Sequence, residues 1–339
     1  NDVAIDCNDG VYICFVLAEG GNVYYANNYV HDICRVYSGS DTVTPSPLYD
    51  SYLSFANVKY VGNYIKNVVD LSSNKHNNFF KCKYGKKSKV LTNNTYTLEK
   101  DFVEKHGKTY SDVLVSFIDI QGDCEYVNIT NNVMNVCGKV SLGFQSGSIE
   151  KFVFTKNYVN AEYLTGSYLL GGNQSGEVYI VDNKVSAISL EEDPYDIING
   201  GGKMKGVIKG NTFPAKLYRL HNEETESELD IIDNEFNCAV LNSRLILVGN
   251  IKNTKFNVVT QNHTITIYNN DTKSTNKKCT INSNVSNITL NQESNFNAKV
   301  VKIKDLITES VFHIKREIAE DGSQIYSLWL NGKIVNKIN

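Results

Sequence analysis

An eight-residue phrase with Asn in its sixth place recurs along the chain. It reads VYYANNYV at 23–30, VKYVGNYI at 58–65, KVLTNNTY at 89–96, VNITNNVM at 127–134, FVFTKNYV at 152–159, VYIVDNKV at 178–185, GVIKGNTF at 206–213, LDIIDNEF at 229–236 and CTINSNVS at 279–286. The sixth-place residues, Asn28, Asn63, Asn94, Asn132, Asn157, Asn183, Asn211, Asn234 and Asn284, are 35, 31, 38, 25, 26, 28, 23 and 50 residues apart. The last gap is about two periods and holds a degenerate copy around Asn253. A period near 25 with insertions of variable length is what stacked coils carrying loops of different size produce.

Within each phrase positions one, three and eight are mostly apolar, so the chain alternates, turns at the Asn and resumes alternating. Two short strands meeting at a sharp corner follow from that pattern. The corner Asn is expected to take the left-handed backbone conformation, and its amide to bond to the same position one coil away.

A further apolar stretch lies about 12 to 16 residues before each Asn: VYICFVL (11–17), LVSFIDI (114–120), KVSLGFQ (139–145), SYLL (167–170), YDII (195–198), LYRL (217–220) and ITIY (265–268). That makes three strands per coil in an all-β chain. The pattern resembles the right-handed, single-stranded parallel β-helix of pectate lyases, polygalacturonases and bacteriophage tailspikes. The resemblance covers about residues 11 to 297 and implies about ten coils, without the catalytic signature of any one of these families.

Beyond about residue 300 the Asn phrase stops. The segment 311–338 holds three alternating stretches separated by Asp321-Gly322 and Asn331-Gly332, dipeptides that supply the positive φ of tight hairpins. The expected division is a solenoid at 1–298 and an antiparallel β meander at 299–339. The meander either caps the last coil, whose open edge would otherwise pair with passing strands, or serves as a subunit contact. Tailspike-like proteins are trimers, so the resemblance implies a homotrimer, and Trp329 would anchor either contact.

Composition excludes several classes. A net charge of −3 and a pI of about 6.1 argue against a nucleic-acid partner. The basic run at 81–89 (KCKYGKKSK) reads as a solvated turn between coils. No apolar run is long enough to insert in a membrane and no signal peptide opens the chain, which is expected to begin inside a larger protein or after processing. Eight cysteines, at 7, 14, 34, 82, 124, 137, 238 and 279, show no metal-binding spacing and read as small buried hydrophobes, with Cys124 and Cys137 as one pair able to bridge coils. No metal ligands are assigned. The Gly200-Gly201-Gly202 stretch is a turn and not a phosphate loop.

In β-helix proteins that act on glycans the ligand lies along one sheet or in a loop-built groove, where a repeat of about 4.8 Å lets successive coils line an extended polymer. The strands before Asn211 and Asn234 carry Tyr195, Asp196, Tyr218, Arg219 and His221 where earlier coils have Ser or apolar residues. Asp196 and Arg219 share an offset of fifteen residues before their Asn, so they are expected to be neighbours on adjacent coils, with His221 titrating near neutrality. Glu191, Glu192 and Asp193 flank one side and Glu223, Glu224, Glu226 and Glu228 the other. Paired carboxylates from two coils suit a glycosidase-like acid and nucleophile, or a calcium site. The catalytic candidates are thus Asp196, Arg219, His221 and Glu223. Tyr168, Tyr195 and Tyr218, placed with Tyr12 on one strand ladder, are candidate sugar-stacking residues.

The resemblance implies an extracellular or virion-borne protein that binds surface polysaccharide, with cleavage left open and no cofactor beyond the calcium option. Two other readings stay open: a non-catalytic adhesin or structural rod, and a monomeric secreted lyase or glycosidase.

Overall fold

In a computed structural model, the structure describes residues 2–4, 20–35, 49–50, 55–71, 77–83, 86–166, 168–171, 176–189, 196–199, 204–214, 216–219, 228–238, 250–252, 254–258, 264–267, 279–283, 287–290, 300–304, 311–318, 324–330 and 333–338. The chain is all-β with long parallel sheets, an arrangement consistent with a parallel β-helix.

Each recurring phrase from 23–30 to 229–236 contributes one strand to each of two sheets. The first sheet stacks Gly20–Ala26, Phe55–Val61, Lys89–Thr92, Cys124–Thr130, Ile149–Thr155, Gly176–Val181, Met204–Lys209, Glu228–Ile232 and Asn250–Lys252, all parallel and in that order. The second collects the strands after each Asn, among them Tyr29–Arg35, Tyr64–Asp70, Thr95–Leu98, Val133–Ser146, Tyr158–Leu164 and Lys184–Ser189. A third line of strands includes Asn77–Lys83, Leu114–Gln121 and the later half of Val133–Ser146. Tyr168–Gly171, Asp196–Asn199 and Lys216–Arg219 then pair as a sheet of their own.

The apolar places of the phrase face a common interior. Phe79, Phe80, Phe117, Phe152, Phe154, Tyr60 and Tyr96 are fully buried there, with Phe79 packed against both Tyr96 and Phe117. Burying one such side chain contributes about 1.5–3 kcal/mol. The Tyr96 hydroxyl donates to the Val68 carbonyl at 2.8 Å, which satisfies the one polar atom its ring carries inside.

Eight buried asparagines, Asn28, Asn63, Asn94, Asn132, Asn157, Asn183, Asn211 and Asn234, form an unbroken column through the corner between the first two sheets. In each pair of successive coils the backbone N–H and the Nδ2 of one Asn both donate to Oδ1 of the next, at 2.8 to 3.0 Å. From Asn63 onward each Nδ2 also donates to a carbonyl of the preceding coil, such as Leu91 for Asn132 and Phe154 for Asn183. The expected amide bonding between coils is therefore present.

The left-handed residue is not the Asn but the one before it. Asn27, Gly62, Asn93, Asn131, Lys156, Asp182, Gly210 and Asp233 have φ between 54° and 67°. The turn is made by the fifth place, which points outward, and the sixth place turns its amide inward. Two columns thus share the corner, and only the inner one needs Asn.

Four expectations change. The strand Cys279–Ser283 pairs with Thr254–Val258 in the second sheet, so CTINS follows the corner instead of leading to Asn284. Thr254, not Asn253, holds the column's register position after Asn234, because Glu235 pairs with Lys255; Asn253 itself lies outside the described residues. The 81–89 run is not wholly a solvated turn: Lys89 is 0% exposed at the inward register position between Val58 and Val127. Lys81 is buried with its Nζ 3.2 Å from Asp119 Oδ2, its register partner. Cys124 and Cys137 do not bridge to each other, and burial pushes the Cys137 thiol up to about 11.

At the C-terminal end, Val311–Ile318, Gln324–Leu330 and Lys333–Ile338 pair antiparallel, as the alternating pattern predicts. Val300–Lys304 adds a fourth strand, antiparallel to Val311–Ile318 and parallel to Cys279–Ser283. The turn dipeptides at 321–322 and 331–332 lie outside the described residues. Among the described residues a short α-helix, Lys100–Lys105, entered directly after Glu99, and a 3-10 turn at Tyr110–Asp112 interrupt the strands.

Candidate functional site

The residues singled out around Asp196 and Arg219 do fall on adjacent strands, but in a different register. Asp196 pairs with Tyr168 on one side and Lys216 on the other, while Arg219 pairs with Asn199 and Tyr218 with Ile198. Asp196 and Arg219 are therefore three register positions apart, about 10 Å along the strand. Equal offset from the Asn column misleads here because fifteen residues separate Asp196 from Asn211 but eighteen separate its partner Lys216 from Asn234. The extra residues enlarge the connection and leave the strand pairing untouched. Tyr168 and Tyr218 likewise occupy different rows. Tyr195, His221 and Glu223 lie outside the described residues, as do Tyr12, Glu191, Glu192, Asp193, Glu224 and Glu226.

Tyr168 is half-buried and its ring lies over Gly171 on its own strand; a Cβ at Gly171 would fall 2.1 Å from the ring. The bare glycine lets the ring lie flat along the sheet. That places an aromatic surface in register with Asp196.

A tighter polar constellation lies at the second corner of the early coils. Asp32 and Asn67 both have positive φ, 53° and 55°, and stand four residues after Asn28 and Asn63. Asn67 Nδ2 donates to Asp32 Oδ1 and to Glu99 Oε2, each at 3.0 Å. Its Oδ1 accepts from the Glu99 backbone N–H at 3.0 Å, fixing the chain where the helix begins. The two amide hydrogens diverge by about 120°, which sets the two carboxylate oxygens about 5 Å apart. His31 Nδ1 lies 2.9 Å from Asp32 Oδ2, and Lys66 Nζ 3.0 Å from Glu99 Oε1.

Both carboxyls are held below their ordinary range. For Glu99 the Asn67 hydrogen bond and then the Lys66 hydrogen bond lower it. For Asp32 burial pushes upward, but hydrogen bonds from His31 and Asn67 outweigh it. Lys66 is raised by the same contact with Glu99. A pair about 5 Å apart has the spacing of a retaining glycosidase, yet such an enzyme needs one carboxyl raised to act as acid. Two ionised carboxylates have the chemistry to accept hydrogen bonds instead.

Aromatic rings flank this corner on the outer side of the second sheet. Tyr29 stacks on His31 at 4.5 Å and on Tyr64, its register partner one coil on, at 5.2 Å. Tyr64 is exposed. Only Asp32 and Asn67 share the place four residues after the column Asn, which Leu98, Val136, Ala161 and Ala187 fill in later coils, so no repeat along the chain marks this site.

Among the described residues no group of three or more His, Cys, Asp or Glu is arranged to hold a metal ion. No helix of the described residues is long and apolar enough to cross a membrane. No known protein family, curated protein or solved structure matches the chain.

Proposed function

We propose that the chain is a right-handed parallel β-helix of about ten coils that engages an extended polysaccharide along its outer surface, as an extracellular or virion-borne, tailspike-like protein. The observation that carries this reading is the stacked Tyr29–Tyr64 pair, with His31 on Tyr29, beside the ionised Asp32 and Glu99. Aromatic faces cover the C–H face of a sugar, and carboxylates and a histidine accept or donate to its hydroxyls. Coils spaced by about 4.8 Å let a polymer meet equivalent groups repeatedly.

Binding is the primary activity in this reading. Cleavage would need a proton donor, which the lowered carboxyls of the early corner do not supply; it would fall to Asp196, Arg219, His221 and Glu223 or to calcium held there. The competing reading is a non-catalytic structural rod. It is favoured by the way the acids pair with lysines one coil away, Glu125 with Lys87, Asp119 with Lys81 and Glu99 with Lys66.

The test is incubation of the full chain with a panel of bacterial polysaccharides, following both retention of the protein and polymer length. Saturable binding to one polymer supports the proposal, and shortening of that polymer adds the cleavage. No binding to any member favours the rod.

A further inference from the structure

The outer side of the first sheet carries a second periodic pattern that glycan binding does not use. One register row runs Tyr126, Lys151, Glu177, Lys205 and Glu228 on successive strands. Glu177 is bonded on both sides, with Lys151 Nζ at 3.1 Å and Lys205 Nζ at 3.3 Å. The neighbouring rows run Val153, Tyr179, Val207, Asp230 and Thr155, Val181, Lys209, Ile232. Apart from the exposed Lys209 these are half-buried on the outside, while Phe152, Phe154, Val178, Ile180 and Ile208 between them fill the interior. The pairing passes through these strands without a register shift, so the face is a regular strip of short, mostly β-branched side chains.

We propose that this face docks a second copy of the chain about a two-fold axis running along the strands, midway between Gly176–Val181 and Met204–Lys209. Such an axis preserves strand direction and reverses the order of the coils, so each row meets itself read backwards. A row of alternating sign is its own complement under that operation. Lys151 comes opposite the strand position of Glu228 of the partner subunit, and Glu177 opposite Lys205 of the partner subunit. The same rotation sets Tyr179 against Val207 of the partner subunit, an apolar contact at the centre. Turning the face about an axis along the stack gives no such match, because the charged row then meets either another row or its own charges like to like.

Four strands about 4.8 Å apart and three rows about 7 Å apart cover roughly 400 Å² per partner, about half of a standard interface. The dimer is therefore weak, and its ion pairs make it sensitive to salt.

Light scattering of the full chain over a range of concentrations tests it. The expected result is a mass that rises from monomer toward dimer with concentration at low salt and returns to monomer at high salt. A charge-inverted variant, Lys151→Glu with Glu177→Lys, Lys205→Glu and Glu228→Lys, keeps the alternation and the pairing within the chain. It is expected to self-associate like the parent, whereas mixed pairs of parent and inverted chains bind at least about tenfold more weakly, since like charges then face each other. Glu177→Lys alone, which lines up three lysines, is expected to weaken self-association by a similar factor. A monomer at every concentration, a trimer, or mixed pairs as tight as like pairs would overturn the proposal.

Discussion

Asn94 donates twice to one atom of Asn132: its backbone N–H lies 3.0 Å and its Nδ2 2.9 Å from Oδ1. Asn132 in turn donates to the Leu91 carbonyl and to Asn157. Replacing Asn132 by Ala strips two buried donors of their acceptor and the Leu91 and Thr130 carbonyls of a donor. At about 1–3 kcal/mol for each buried group left unsatisfied, a loss of about 4 kcal/mol is expected in denaturant unfolding. Asn132→Asp should be at least as damaging at neutral pH, because it keeps the acceptor and turns the donor into a second oxygen facing Asn157 Oδ1. An aspartate variant as stable as the parent would show that the donor half of the amide is dispensable.

Lys156 is the odd member of the outer column, the one left-handed residue there that is neither Asn, Asp nor Gly. A Cβ in that conformation costs about 1–2 kcal/mol, less for Asn, whose side chain bonds locally. Lys156→Asn should raise the melting temperature, with a gain of about 0.5–1 kcal/mol. The opposite change at Gly210 should destabilise, since a new Cβ would fall 2.3 Å from Asp182 Oδ1 and φ there is +67°.

The second-corner carboxyls predict a pH dependence. Glu99 and Asp32 are both lowered on folding, so ionisation favours the folded state. The contribution is complete above the unfolded carboxylate values, near pH 4, and is lost as the pH falls through the lower folded values. Asn67→Ala removes the amide common to both; NMR titration of the side-chain carboxyls should show both values moving up and the acid sensitivity shrinking. Carboxyls that titrate unchanged in the variant would assign the lowering to Lys66 and His31 alone.

For the glycan reading, Tyr64→Ala removes one ring of the stack. An aromatic contact worth about 0.5–1.5 kcal/mol translates into a two- to tenfold loss of affinity for whichever polysaccharide is bound. Ile188→Ser, at an exposed position several coils away, should leave affinity unchanged. Equal effects of the two substitutions would move the binding surface elsewhere.

The corner was legible because a hydrogen-bonded amide column tolerates a single residue type: every coil from Asn28 to Asn234 repeats it. The conformation behind it was read one place late. The residue with positive φ is Asn in Asn27, Asn93 and Asn131 but Gly, Lys or Asp elsewhere, and the more varied column was the strained one. Asn284 matched the phrase in a chain rich in Asn, but CTINS alternates equally well on either side of the corner, and pairing alone decides between them. The Asp196 region failed for a related reason. Offsets from the column measure strand position only where the intervening connection keeps its length, and the one before Asn234 is three residues longer. The Asp32–Asn67–Glu99 contact converges from three coils onto one amide, which no local spacing reveals.

The amide column also has a direction. From Asn63 to Asn234 each Oδ1 accepts from the preceding coil, and from Asn28 to Asn211 each Nδ2 sends one of its hydrogens to the following one. Eight parallel side-chain dipoles therefore add head to tail, as peptide dipoles do in a helix, and each polarises the next. The stack is an electrically polar rod, negative toward Asn28 and positive toward Asn234, so the two ends of the column meet their surroundings with opposite sign.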